Sequence, residues 1–301
     1  MVYVAHFTGG VVACYLVARL LARATWTWYA PSVAIVAFQA VGLAAGLSAI
    51  GLPLAAGLAP YDDGVLRALR QLAADLAAGS LPTGIGVGHL ALVGVGFAIA
   101  AILVGTLARS LLHALRAQRR HRELLTLVAR NDPAAPGALV LDHPCAAAYC
   151  LPGVRPRVVV SAGTLRLLDR AELAAVLAHE RAHADERHDL VVLPFTALCR
   201  ALPWARWVRT AQDTVSLLVE MRADDKARRL HQDGPLAAAL LRFADAPARV
   251  TPAGALGVAD RHLDARVQRL LMSRRPSRLW GAATLAVAAM LVALPATLYL
   301  A

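Results

Sequence analysis

Four stretches of this chain run for 18 to 30 residues without an aspartate, glutamate, lysine or arginine. They are Met1 to Ala18, Ala30 to Ala59, Leu81 to Ala108 and Leu279 to Ala301. A bilayer core needs about 20 apolar residues to be crossed by a helix, and a helix in a water-soluble core rarely goes so long without a charged face. Pro53 and the glycines in these stretches are compatible with spanning. The first stretch has neither a basic segment ahead of it nor a small-residue cleavage site, so it reads as an anchor and not as a removed leader. With 58% hydrophobic residues, a mean hydropathy of +0.54 and 17% charged residues over 301 positions, the composition agrees with a membrane protein.

The net charge of +11 raises nucleic acid as a partner, but its distribution argues for topology instead. Arg109, Arg116, Arg119, Arg120 and Arg122 follow the third stretch, Arg274, Arg275 and Arg278 precede the fourth, and Arg19 and Arg23 follow the first. The segment from 60 to 80 sets Asp62, Asp63 and Asp75 against Arg67 and Arg70. By the positive-inside rule this predicts three spans at about 1–20, 30–58 and 82–108, an external 60–80 loop, a cytoplasmic segment 109–278, and a fourth span at 279–301. Both termini then lie outside a multi-pass cell-membrane protein. No basic stripe with interleaved aromatics appears, so no direct nucleic-acid contact is expected. Cys14, Cys145, Cys150 and Cys199 form no CxxC pair and read as small buried hydrophobes.

Within 109–278, Ser110 to Glu123 continues a helical pattern that "NDPAAPG" at 131–137 should end. "ALVLD" (138–142) and "RVVVSA" (157–162) read as short strands, and "PCAAAYCLPG" between them as a third strand or an ordered loop. Asp169 followed by Glu172 predicts a capped helix start. The run 190–207, interrupted by Pro194, Arg200 and Pro203, should lie against the membrane interface with Trp204 and Trp207 at headgroup level. A polar helix is expected from about Val208 to Leu230. The expected architecture is a mainly α membrane protein, four transmembrane helices with a cytoplasmic α+β domain built on a small β-sheet.

The predicted capped helix carries His-Glu-x-x-His at His179, Glu180 and His183. Two imidazoles four residues apart on a helix can reach one point in space. A catalytic zinc site needs three protein ligands and a position open to water. Downstream of the motif only Glu186 and Glu220 are glutamates. Glu186 shares the helix and would be strained as a ligand. Glu220, with Asp224 one turn later, would offer a carboxylate ligand and a second carboxylate able to orient a histidine. Zn2+ would acidify water and polarise a carbonyl, and Glu180 would act as general base. His231 and Arg228 are candidates to stabilise the transition state. His188 is expected on the surface, off the metal-facing line. The strand ending at Ser161 is expected to offer an edge on which a peptide substrate could pair.

"RVVVSAGTLRLLDRAELAAVLAHERAHADERHD" and "LPWARWVRTAQDTVSLLVEMRADDKA" together resemble the bacterial membrane zinc metallopeptidases of the β-lactam-sensing signal transducers, and more distantly the HtpX and CAAX prenyl protease group. The resemblance is close over about 138 to 230. It implies a zincin-like domain between the third and fourth spans, with His179, His183 and Glu220 as zinc ligands, Glu180 as the catalytic glutamate and Asp224 behind a ligand. It also implies cleavage of a protein at the cytoplasmic face, either the chain itself or a partner transcriptional repressor. The transducers carry an external penicillin-binding domain after the last span, whereas this sequence stops at Ala301, so β-lactam sensing is not expected. Two other readings compete. A catalytically silent transducer or scaffold would have no need of Glu180. A motif inside the bilayer would sit among Arg170, Glu172, Arg181, Asp185, Glu186 and Arg187, a prohibitive charge density in hydrocarbon.

Overall fold

A computed structural model describes residues 2–153, 155–231, 233–246, 256–257, 263–271 and 278–300. Arg274 and Arg275, used in the topology argument, lie outside the described residues. The chain divides into two compact units, Met1–Leu107 with Ala197–Thr214 and Pro276–Ala301, and Ala108–Thr196 with Val215–Arg275.

The first unit is helical. It contains α1 (Val2–Arg23), a one-turn α2 (Trp26–Tyr29), α3 (Pro31–Gly57), α4 (Val65–Ala78), the first half of α5 (Val87–Val128) and the closing helix Arg278–Leu300. Four of these are long and apolar enough to cross a membrane. A 22-residue helix is about 33 Å long, matching a hydrocarbon core of about 30 Å. In a bilayer such helices would gain little from burying apolar surface and would associate by close packing, which small residues permit. A Cβ on Gly51 would collide with the ring of Phe7, and one on Gly96 with Leu54. Phe7 also meets Tyr299 at 5.5 Å between centroids, and the Tyr299 hydroxyl donates to the Leu47 carbonyl at 2.9 Å.

The expected 60–80 loop contains a helix. Val65, Ala68 and Leu72 recur at helical spacing and are buried in α4, while Arg67 and Arg70 stay exposed. Gly79 closes it in the left-handed conformation, at φ 68°.

α5 runs on for 42 residues, about 63 Å, so the third apolar stretch and the arginine-rich segment after it form one helix as expected. It ends at Val128, ahead of the Asn-Asp-Pro breaker, because Ala129 to Asn131 are taken up as a strand, β1. The second unit's sheet adds β2 (Ala138–Leu141), β3 (Ala148–Leu151), β4 (Arg157–Ser161) and β5 (Leu256–Gly257) in the order β1-β2-β4-β3-β5. β2 and β4 pair in parallel, the others antiparallel. This corrects the expected peptide-accepting edge. β4 is an interior strand, hydrogen-bonded on both sides, as suits three consecutive buried valines, Val158 to Val160.

Ser161 ends β4 and caps α6 (Ala162–Leu167) by accepting from the Thr164 amide. There follow α7 (Arg170–Asp185), α8 (His188–Ala201), α9 (Arg206–Leu230), α10 (Asp233–Asp245) and α11 (Leu263–Leu271), and the closing helix is α12. Pro194 sits inside α8 and does not break it, and the interruption falls at Leu202 to Ala205, around Pro203. The core of the second unit is built from Val140, Val158 and Val160 of the sheet, Ala175 to Ala178 of α7, and Leu236, Leu240 and Phe243 of α10, with Leu270 of α11.

Candidate metal centre

α7 starts where its sequence predicts. Asp169 Oδ1 accepts from the amides of Ala171 and Glu172 at 2.8 and 2.9 Å, and Glu172 Oε2 accepts from the Asp169 amide at 2.9 Å. This reciprocal cap satisfies donors that a helix start leaves orphaned. The other end is less ordinary. Arg187 takes φ 50°, the left-handed region that favours glycine, and the chain reverses there into α8.

Between those ends α7 buries His179, Glu180 and His183 completely. The two Nε2 atoms lie 3.1 Å apart. Glu220, on α9, brings Oε2 to 3.3 Å from His179 Nε2 and Oε1 to 3.5 Å from His183 Nε2. A tetrahedral ion bonded to nitrogen and oxygen at about 2.0–2.2 Å spaces its donors about 3.3–3.6 Å apart. The separations are close to that range, with a different Glu220 oxygen facing each histidine, and one donor atom from each of His179, His183 and Glu220 lies within 4.8 Å of the others, a group able to hold an ion.

Each imidazole is held from behind. His179 Nδ1 is 2.9 Å from Asp224 Oδ1. Asp224 is gripped in turn by Arg266 of α11, whose Nε and Nη2 donate at 2.9 and 2.6 Å. Arg266 is almost wholly buried, and its Nη1 also lies 3.1 Å from Glu220 Oε2. Three residues on, Arg269 donates to both oxygens of Asp225 at 2.7 Å, so α11 is fastened to α9 twice.

His183 is backed by a longer series. Its Nδ1 lies 2.9 Å from Nδ1 of His188, His188 Nε2 lies 3.4 Å from Glu186 Oε2, and Arg222 donates to both Glu186 oxygens at 2.8 and 2.9 Å. Here the structure corrects the surface placement of His188, which is 2% exposed. The reversal at Arg187 folds it back onto His183, whereas an uninterrupted helix would have pointed it away. Burial and the neighbouring His183 push His188 down to about 4, so it is neutral at pH 7.

The electrostatics favour a cation. Buried Glu180 and Asp224 and part-buried Glu220 place three carboxylates around the donors, with the buried Arg266 guanidinium against Asp224 and Glu220, an acidic setting that suits a divalent ion. Burial opposes ionisation of Asp224, but the Arg266 charge and the His179 contact outweigh it and hold Asp224 down to about 2. Burial also works against protonated His179, yet Asp224 and Glu220 lift it to about 9. Burial pushes Glu180 up, and both its carboxylate oxygens are buried without a hydrogen-bond partner. His179 Nδ1 and Glu220 Oε2 also lack aligned hydrogen bonds despite their close contacts. Three partnerless carboxylate oxygens in one place, two of Glu180 and one of Glu220, need an explanation, and a metal with its water supplies one.

Of the residues singled out from sequence, His179, Glu180, His183, Glu220 and Asp224 are thus brought together. Glu186 is directed to Arg222, not to the donor triangle. Arg228 lies eight residues beyond Glu220 on α9 and His231 just past the end of that helix, and neither belongs to the His179, His183 and Glu220 group. Arg228 sits against Asp225 at 3.9 Å. Sequence reading missed Arg266, Arg222 and the part played by His188.

Fold and site together define a helical protein with membrane-type spans and a His-His-Glu metal group on an α+β unit. Residues 114–221 match Peptidase family M48, which supports a metallopeptidase. The matched stretch is about a third of the chain, contains His179, Glu180, His183 and Glu220, and ends before Asp224 and Arg266. It carries the broader part of the resemblance, a membrane-type metallopeptidase, and says nothing of antibiotic sensing. No curated protein and no solved structure matches the chain.

Proposed function

We propose that the protein is a membrane-anchored zinc endopeptidase that cleaves a protein substrate at the cytoplasmic face. The observation that carries the reading is a cluster of two buried imidazoles and a part-buried carboxylate, their ligand atoms within 4.8 Å of one another, beside a partnerless buried carboxylate. His179, His183 and Glu220 would hold the ion, and two nitrogens with one oxygen suit zinc. When bound, zinc supplies Lewis acidity towards the scissile carbonyl and makes water acidic near neutrality.

The remaining chemistry belongs to the chain. Glu180 accepts a proton from the attacking water on a carboxylate oxygen and returns it to the leaving amine nitrogen. Burial raises its basicity, which brings the carboxylate closer to working pH. Asp224, fixed by Arg266, orients His179, and His188 orients His183. The arginine clusters beside α1 and α5 support a cytoplasmic second unit. A transcriptional repressor, or another copy of the chain, is the substrate class that the family resemblance suggests.

The test is Glu180→Gln in the full-length protein. It should retain about one zinc per chain by elemental analysis and lose hydrolysis of an unfolded protein substrate by about 10²–10⁴-fold. Hydrolysis at wild-type rate would place the base elsewhere. Wild-type protein that binds zinc yet cleaves nothing in cells or in vitro would favour the silent-transducer reading.

A further inference from the structure

We propose that a groove in the first unit, between the last turns of α1 and the start of α9, binds the phosphate of a net-anionic phospholipid headgroup. The proposal rests on α1 being a membrane span and is independent of the peptidase reading.

Tyr15, Ala18, Arg19, Ala22 and Arg23 share one face of α1 by their three- and four-residue spacing. Across from them stand Trp204 to Trp207 and Thr210, and the space enclosed is about 430 Å³. The small side chains of Ala18, Ala22 and Ala205 leave that space open. Three arginines line it, Arg19, Arg23 and Arg206, and no lining residue is acidic. Arg19 is already engaged, donating to the Tyr15 hydroxyl at 2.8 Å with its guanidinium 5.6 Å from the ring centroid. The side chains of Arg23 and Arg206 make no hydrogen bond or ion pair with a described residue, so two uncommitted charged forks border the groove. Guanidinium forks match the paired oxygens of a phosphodiester.

The aromatic residues set the depth. Trp207 packs edge-on against Tyr15 at 5.8 Å, while Trp204 is 76% exposed. An indole so bare is out of place in water and at home in the headgroup layer. α1 fixes that layer independently. It is long enough to cross the hydrocarbon with little to spare, so Arg19 and Arg23 at its end must lie at an interface, whichever side of the membrane that is. A zwitterionic headgroup would bring its own cation against these arginines, so the site selects phospholipids without one.

Full-length protein in a neutral detergent would be titrated with dioctanoyl phosphatidylglycerol, dioctanoyl phosphatidylcholine and inorganic phosphate, with retained adducts counted by native mass spectrometry. Phosphatidylglycerol should bind, phosphatidylcholine should bind at least tenfold more weakly, and phosphate should not displace the lipid. Arg23→Gln with Arg206→Gln should weaken phosphatidylglycerol about 25-fold, at about fivefold per arginine. Arg67→Gln with Arg70→Gln, on α4, should leave it unchanged. Equal binding of phosphatidylcholine, displacement by phosphate alone, or an unaltered Arg23/Arg206 variant would each overturn the proposal. The choice between the two lipids is read on the wild type, so the test survives a variant that folds poorly.

Discussion

Replacing His188 by leucine tests the least expected part of the site. If His183 faces an ion through Nε2, its proton must sit on Nδ1, the atom 2.9 Å from His188 Nδ1. His188 must then accept on Nδ1 and carry its own proton on Nε2, directed at Glu186, whose oxygens already accept from Arg222. Only this proton order makes every contact a donor-acceptor pair, and it needs His188 neutral, as its pKa of about 4 ensures. Leucine removes the acceptor and strands a buried N–H, a loss of about 1–3 kcal/mol. Zinc affinity should fall about 10–100-fold, or about 1.4–2.7 kcal/mol, the usual effect of removing a group behind a metal-bound histidine. The assay is competition with a chromogenic chelator at pH 7. His188→Asn, whose side-chain oxygen can stand near the lost nitrogen, should recover most of the affinity. A dissociation constant for His188→Leu within threefold of wild type would refute the proton order, as would an equal loss in both variants.

Arg266→Met should lower the stability of the metal-free protein by about 3–5 kcal/mol in chemical denaturation, because Asp224 and Glu220 would lose a buried counter-charge. A loss below about 1 kcal/mol would mean that the pairing is inconsequential. His179 is raised to about 9 without metal, so at pH 7 it is protonated and must shed a proton to bind. Zinc affinity should therefore climb about tenfold per pH unit from 7 to 9, the slope of a one-proton exchange, and calorimetric heats should vary with buffer ionisation enthalpy. Heats independent of buffer would contradict the raised value. Asp169→Ala removes an N-cap that serves two amides and should cost about 1 kcal/mol of stability, measured by urea denaturation of the full chain in detergent.

What could be read from sequence was what is local. The Asp169 cap, the four-residue spacing of His179 and His183, and the same spacing of Glu220 and Asp224 need only helix geometry, and the structure gathers these side chains accordingly. The β-branched runs at 138–141 and 157–161 likewise declared themselves. What escaped depends on distant parts of the chain. Arg266 stands 42 residues beyond Asp224, and nothing in "DARVQRLL" marks its two arginines for burial. His188 was misplaced because "ADERHD" contains no glycine to announce a left-handed reversal, which Arg187 makes regardless. The interior position of β4 is a fact of strand order, invisible to strand propensity. The apparent 60–80 loop hid α4 because its charges drew attention from the helical spacing of Val65, Ala68 and Leu72.

Both histidine supports terminate in a guanidinium, Arg266 for one and Arg222 for the other, and guanidinium groups keep their charge at any pH a protein meets. Acidification therefore attacks the donors before it attacks their mountings, since Asp224 stays ionised down to about 2 and His188 resists protonation down to about 4. Dialysis near pH 5 should strip the ion and leave the helices in place, so that zinc restored at neutrality finds its cradle still assembled.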